Sequence, residues 1–104
     1  MTFLEAWPTQ TEAGFMAQVI RYAEMMGWRC YHTRNSRKST PGFPDLVLVR
    51  ARHARPRVVF AELKGQRTPV TVDQADWIAD LKAAGAEIYV WRPTSWRQVE
   101  AALR

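Results

Sequence analysis

Two short motifs place charged side chains at the ends of strand-forming segments. Residues 42–45 read Gly-Phe-Pro-Asp and lead into the apolar run 46–49, and the apolar run 58–61 leads into Glu-Leu-Lys at 62–64. Apolar runs of this length are typical of buried strands, and a charged group beside them is costly to bury unless another group pairs with it. The two motifs therefore predict a sheet with a charged site where its strands end.

The second motif directs two opposite charges to one face of a strand. Glu62 and Lys64 lie two residues apart, so their side chains leave the same face about 7 Å apart along it. Asp45 opens the preceding strand, and the Arg-rich stretch 51–57 predicts the turn that joins the two strands. We therefore expect two carboxylates and one ammonium group to converge.

The register of this strand pair decides which residue faces Asp45. An antiparallel pairing with Arg50 opposite Val58 places Asp45 opposite Leu63. Asp45 is then expected one residue away from Glu62 across the pair.

A divalent cation would account for this group of charges. Mg²⁺ takes one or two carboxylates, a carbonyl oxygen and several waters, and leaves room for a phosphate oxygen. We therefore predict Mg²⁺ or Mn²⁺ held by Asp45, Glu62 and the carbonyl of Leu63. Such a metal would lower the pKa of a bound water and neutralise charge on a phosphodiester, while Lys64 positions the water or stabilises the transition state.

The alternative interpretation is a surface hairpin with a solvated Glu and Lys. An isolated Glu-x-Lys tripeptide favours that alternative, because the tripeptide is common. The Pro-Asp at the start of the preceding strand argues against it here, and metal-assisted phosphodiester hydrolysis is the predicted reaction class.

Together these motifs resemble those of a known nuclease superfamily. Pro44-Asp45 followed by residues 62–64 is similar to the Pro-Asp…Asp/Glu-x-Lys signature, and the surrounding sequence resembles its virus-type replication-repair nuclease (VRR-NUC) branch. The matching features are Gly-x-Pro-Asp-Leu at 42–46, Gly65 after Lys64, a helix with Gln74 that leads to 81–86, and the strand 87–91. The resemblance covers roughly residues 10 to 100. It implies a restriction-endonuclease-like fold and a structure-selective, metal-dependent endodeoxyribonuclease.

Two further polar residues have two interpretations each. Glu12 lies three residues after Thr9, as in a helix capping box, whereas the resemblance implies that a glutamate of this helix joins the metal ligands. Gln74 likewise follows Thr71 in a capping box, whereas related nucleases use a glutamine here, as a catalytic residue, to orient water or phosphate. We favour the metal role for Glu12 and leave both roles open for Gln74.

The charge distribution predicts an oriented surface for a polyanion. The net charge is +5, and residues 29–57 contain eight Lys or Arg against one acidic residue. A basic half beside a predicted phosphodiester site favours DNA as the partner, although a merely solvated basic loop is the alternative. The predicted DNA-binding residues are Arg34, Arg37, Lys38, Arg52, Arg55 and Arg67.

Apolar periodicity and helix-stop glycines predict the order of elements. We expect a helix over 9–26, a strand over 28–33, the two motif strands, a helix over 71–84, a strand over 86–91 and a helix over 95–103. Burial of the second strand on both faces is expected from its near-continuous apolar run. The prediction is an α/β fold with an αβββαβ core, a mixed sheet and flanking helices, in a single domain over 1–104.

The resemblance also suggests an assembly. Stand-alone members of the family resemble Holliday-junction resolvases, so we expect a homodimer on branched DNA. Strand 86–91 or the closing helix is the expected contact, because Trp77, Trp91 and Trp96 lie in the half of the sequence away from the metal motif. A flap or end-processing nuclease, a partner-dependent nuclease subunit and a non-catalytic DNA-binding module are the alternatives. The absence of a basic leader or a long apolar run predicts a cytoplasmic protein without membrane contact.

Overall fold

The computed structural model describes residues 10–33 and 38–104, which form a mixed sheet with helices on both faces. The elements are α1 (Glu12–Met25), β1 (Arg29–His32), β2 (Leu46–Arg50), β3 (Arg57–Leu63), α2 (Val72–Ala83), β4 (Glu87–Trp91), a 3₁₀ turn (Pro93–Ser95) and α3 (Trp96–Leu103). The predicted α/β fold and its αβββαβ core are confirmed, with α3 as the closing helix.

The strands lie side by side in chain order. β1, β2 and β3 pair antiparallel, and β4 joins β3 in parallel. A parallel neighbour requires a crossover connection, and α2 provides it between β3 and β4. Because β2 and β3 run in opposite directions, the start of β2 and the end of β3 meet at the same end of the sheet.

One face of the sheet carries the hydrophobic core. Helices α1 and α3 pack on this face and on each other. Trp96, Val99 and Leu103 of α3 are fully buried, as their helical spacing predicts. Trp91 is also buried, so Trp91 and Trp96 belong to the core and the apolar side of α3 is already used within the chain.

The opposite face is covered only in part. Helix α2 packs near β4, whereas Tyr31, Val49 and Val58 of the first three strands are 63%, 36% and 48% exposed. The expectation that β2 is buried on both faces is therefore wrong for Val49. An apolar run does not distinguish a fully covered strand from one whose outer half lies beyond the reach of a single helix.

The register of β2 and β3 differs from the predicted one by a single residue. Arg50 pairs with Arg57 rather than with Val58, and Leu46 pairs with Ala61. The predicted turn was too long by one residue, because Arg57 belongs to β3. One more step along this ladder places Asp45 opposite Glu62. A shift of one residue exchanges the two faces of a strand, so the observed register is the one that puts both carboxylates on the same face.

Arg50 closes the end of the sheet remote from these carboxylates. Its guanidinium is 5% exposed, donates to the carbonyl oxygens of Met26 and Leu103 at 3.1 Å each, and lies 4.5 Å from the centre of the Trp28 ring. Burial lowers the pKa of Arg50, as does the neighbouring charge of Arg57. Arg50 thus ties the carboxyl ends of α1 and α3 to β2 and is not available to a phosphate.

Candidate active site

Asp45 is held between two strands at the end of the sheet. Its carboxylate oxygen Oδ2 accepts a hydrogen bond from the backbone N–H of Leu63 at 2.9 Å, and its carbonyl oxygen accepts one from Thr33 at 3.0 Å. Both contacts follow from its position one residue before β2. The side chain is therefore fixed beside the last residues of β3.

Glu62 and Lys64 are buried next to it. Glu62 is 2% exposed and Lys64 is 5% exposed, and Lys64 Nζ lies 3.6 Å from Glu62 Oε2. The other oxygen, Glu62 Oε1, is buried without a hydrogen-bond partner. The pKa of Glu62 is raised to about 8, first by burial and then by the neighbouring Asp45, while Lys64 opposes the shift.

Gln74 caps a helix and also contacts Glu62. Its Oε1 accepts from the backbone N–H of Thr71 at 2.9 Å and the hydroxyl of Thr71 accepts from Gln74 N, which completes the capping box of α2. Its Nε2 meanwhile donates to Glu62 Oε2 at 3.0 Å. The start of α2 thereby orients the carboxylate of Glu62.

The loop before Asp45 is packed tightly against α2. Gly42 has a φ of 91°, and a Cβ added there would lie 2.5 Å from the backbone carbonyl carbon of Asp73. Trp77 Nε1 donates to the carbonyl of Pro41 at 3.1 Å, and the Trp77 ring meets Phe43 edge-on with 5.1 Å between ring centres. Trp77 thereby holds this loop against α2.

Comparison with known proteins identifies the family of this chain. The family model of the VRR-NUC domain matches residues 6–94. The chain belongs to the VRR-NUC family. A solved structure described as a VRR_NUC domain aligns with a TM-score of 0.68 at 22% identity, covering 88% of this chain and 92% of that one. No match was found among curated proteins.

Membership in the VRR-NUC family makes the chain a nuclease-type domain, and this family is generally metal-dependent. The site fits such an ion, because Glu62 Oε1 is a buried oxygen that lacks a hydrogen bond and lies beside a second carboxylate. Hard divalent cations prefer this set of oxygen ligands. Asp45, Glu62 and the Leu63 carbonyl remain the predicted ligands.

Glu12 does not join them. Thr11 caps α1 by accepting from Gly14 N, so Glu12 is the first helical residue and is exposed, whereas Thr9 of the predicted capping box lies outside the described residues. Within residues 10–33 and 38–104, no three His, Cys, Asp or Glu side chains lie close enough to hold a metal ion. Helix α1 thus begins at Glu12, later than its sequence pattern predicts.

The predicted DNA-binding residues fall into two regions of the VRR-NUC domain. Lys38 and Arg67 are exposed in the loops that precede Asp45 and follow Lys64, whereas Arg52 and Arg55 are exposed in the β2–β3 turn at the other end of the strands. Arg34 and Arg37 lie outside the described residues. Fewer of the basic residues in 29–57 are available to DNA than the composition predicts, because Arg50 is buried and Arg57 forms an ion pair with Glu87.

One supporting residue was not predicted from the sequence. Arg92 Nη1 donates to the carbonyl oxygens of Gly65 and Thr68, both at 2.7 Å, and so braces the turn that follows Lys64. A single arginine after a strand carries no sequence signal for such a role. The brace fixes the connection between Lys64 and the start of α2.

The raised pKa of Glu62 predicts a pH-dependent stability of the metal-free protein. A carboxyl group whose pKa is higher in the folded state favours folding below its unfolded pKa, and this contribution is lost as the pH rises through the folded pKa. On going from pH 5 to pH 9, we expect the wild type to lose about 4 kcal/mol of folding free energy relative to Glu62→Gln. Urea unfolding in EDTA at both pH values measures this difference, and a difference that does not change with pH would contradict the burial argument.

No helix in the described part of the chain is both long enough and apolar enough to cross a lipid bilayer.

Proposed function

We propose that this VRR-NUC domain is a Mg²⁺- or Mn²⁺-dependent, structure-selective endodeoxyribonuclease that acts as a homodimer in the manner of a Holliday-junction resolvase. The observation that carries the proposal is the convergence of Asp45, Glu62 and Lys64 at one end of the sheet. A lysine and two carboxylates that share a buried site are costly to maintain without a ligand or a chemical task.

Each residue has a defined task in phosphodiester hydrolysis. Asp45, Glu62 and the carbonyl of Leu63 would hold the cation. When bound, the metal supplies a lowered pKa for a coordinated water and positive charge opposite the phosphate. Lys64 stabilises the anionic transition state, and its burial keeps that charge effective because little water screens it.

Gln74 is assigned a positioning role. Its amide is held by Thr71 on one side and donates to Glu62 on the other, so its direct contact is with a predicted metal ligand. The catalytic role that the resemblance implies is then exerted through Glu62.

Contacts to the DNA backbone give a salt-dependent prediction. Lys38 and Arg67 are exposed in the loops that precede Asp45 and follow Lys64. Each phosphate contact that is lost reduces the slope of log affinity against log salt by about 0.9 for duplex DNA. We expect Lys38→Ala and Arg67→Ala each to flatten this slope and to weaken binding to all DNA structures alike. Fluorescence anisotropy in Ca²⁺ between low and moderate salt measures the slope. An unchanged slope in both variants would remove these residues from the DNA surface.

The sequence favours two contacts for the proposed dimer, the strand β4 and the closing helix α3, and the fold favours β4. The apolar side of α3 is buried within the chain, whereas β4 is an edge strand of the sheet. Edge strands present unpaired backbone groups that a second copy can satisfy. We expect a homodimer that makes paired nicks on opposite arms of a four-way junction, measured by sedimentation and by cleavage of a supercoiled cruciform. A monomer at micromolar concentration that makes independent single nicks would instead favour the flap or end-processing alternative.

The experiment that tests the function presents one labelled set of DNA structures to the purified protein. Duplex, flap, splayed arm and four-way junction are each incubated with Mg²⁺, Mn²⁺ or EDTA. Preferred cleavage of the junction in either metal, and none in EDTA, supports the proposal. Binding without cleavage would indicate a non-catalytic module or a subunit that requires a partner, and adding cell extract to the same reaction separates these two.

A further inference from the structure

A cleft of about 410 Å³ opens beside the site. Asp45 and Gln74 form one side of it, and among the described residues its other walls are the loop 41–43, the start of α2 at Thr71 and Asp73, and Thr33. Its volume falls in the range of pockets that bury a small organic group, and it exceeds what a cation and its waters require. A second group of the substrate therefore has room next to the predicted metal ligands.

The described walls of this cleft suit a neutral polar group better than a further phosphate. Beside Asp45, which is assigned to the metal, the carboxylate of Asp73 lines it, and no Lys or Arg is among the described lining residues. A neutral group with hydrogen-bond donors complements such walls, because a carboxylate accepts from an amino group and a threonine hydroxyl accepts or donates. The loop also contributes the Phe43 ring, and aromatic rings stack on nucleobases without regard to sequence.

Contacts within the protein hold the described loop and helix walls of the cleft in place. Phe43 is held edge-on between Phe60 and Trp77, with 6.1 and 5.1 Å between ring centres. Gly42 packs on the backbone of Asp73, and Pro41 accepts from Trp77. Binding a group against these walls would require little further ordering of them, which lowers the cost of binding.

We infer that this cleft receives one unpaired nucleobase adjacent to the scissile phosphate. Phe43 stacks on the base, and Asp73 accepts from its amino group. The inference rests on the proposed nuclease function and specifies its substrate: DNA in which a nucleotide beside the cut is free to leave the helix. Cytosine, adenine and guanine carry the required amino group and thymine does not. Extrusion is least costly for a mismatched or unpaired nucleotide.

The test begins with a four-way junction whose cut position has been mapped in Mg²⁺ or Mn²⁺. The nucleotide on each side of the cut is replaced in turn by cytosine, thymine or an abasic site, and the cytosine is presented paired and mismatched. Cleavage rates are measured in single turnover, and affinities by anisotropy in Ca²⁺. At one of the two positions we expect the abasic site to lower the rate at least about tenfold and thymine at least about fivefold, and a mismatch to increase the rate.

Two variants identify the cleft as the cause. Asp73→Ala is expected to abolish the preference for cytosine over thymine, and Phe43→Leu, which keeps apolar contact with Trp77, to reduce the ratio between cytosine and the abasic site. Asp76→Ala is the matched control, because Asp76 is exposed on α2 outside the cleft. Thermal unfolding verifies that each variant is folded.

The outcomes separate this inference from the function on which it rests. Metal-dependent cleavage that is equally fast with cytosine, thymine and an abasic site at both positions would overturn the inference and leave the nuclease intact. A preference for cytosine that persists in Asp73→Ala would also overturn it. Failure to bind or cut any DNA would reject the proposed function itself.

Discussion

Replacing Asp45 by Asn or Glu62 by Gln is expected to lower DNA cleavage by about three orders of magnitude or more. Each substitution removes one anionic oxygen ligand while keeping the shape of the side chain, so the predicted cation loses half of its carboxylate charge. DNA binding should survive or tighten in both variants, because negative charge near the phosphate is removed. Single-turnover cleavage and anisotropy with the same labelled junction measure the two effects separately.

A matched control tests whether the loss of cleavage depends on the position of the carboxylate or only on the loss of one negative charge. Asp76→Asn removes one carboxylate from an exposed position of α2 and is expected to cleave like the wild type. Full activity of Asp45→Asn or Glu62→Gln would exclude that residue as a ligand.

Lys64→Ala should lower turnover with little effect on the metal concentration required for activity. Equal losses of turnover and of metal affinity would instead make Lys64 a structural partner of Glu62.

Replacing Gly42 by Ala is expected to destabilise the protein by about 3 kcal/mol, equivalent to a fall in melting temperature of more than about 10 °C. Two penalties combine here. The φ of 91° is unfavourable for any residue with a Cβ, and the new Cβ would lie 2.5 Å from the backbone of Asp73. The loop and α2 must then separate, which displaces Asp45 and Gln74, so cleavage should fall as well.

Gly85 offers a control for the first of these penalties. Its φ is 87°, and a Cβ added there meets nothing within 4 Å. Gly85→Ala should therefore cost about 1 kcal/mol and leave cleavage unchanged. Equal destabilisation of the two variants in urea unfolding would mean that the contact between the loop 41–43 and α2 does not contribute to the cost of Gly42→Ala.

The order and type of the elements were predictable because each has a local signal. Helical spacing of apolar residues located α3, Thr71 and Gln74 marked the start of α2, and Gly27 and Gly85 follow the ends of two helices. Glu62 and Lys64 share a face because a strand alternates its side chains. Such signals depend only on neighbouring residues, and the site residues they identified are indeed brought together.

What the sequence did not predict depends on tertiary contacts. The register of β2 and β3 depends on a turn whose length differs by one residue, and the exposure of Val49 depends on how far α2 reaches. Arg50 was counted with the DNA-facing charges, although it serves two helix ends on the far side of the sheet. The sequence shows that an arginine is charged, but not which groups its guanidinium hydrogen-bonds in the folded protein.

The central claim, that Asp45 and Glu62 together hold a divalent cation, is tested most directly by metal binding in the absence of DNA. Calorimetric titration of EDTA-treated protein with Mn²⁺ at pH 8 should give saturable binding in the wild type and in Asp76→Asn. In Asp45→Asn and Glu62→Gln the affinity should fall at least about tenfold. Mn²⁺ binding that is equally tight in all four proteins would contradict the claim and place the cation elsewhere.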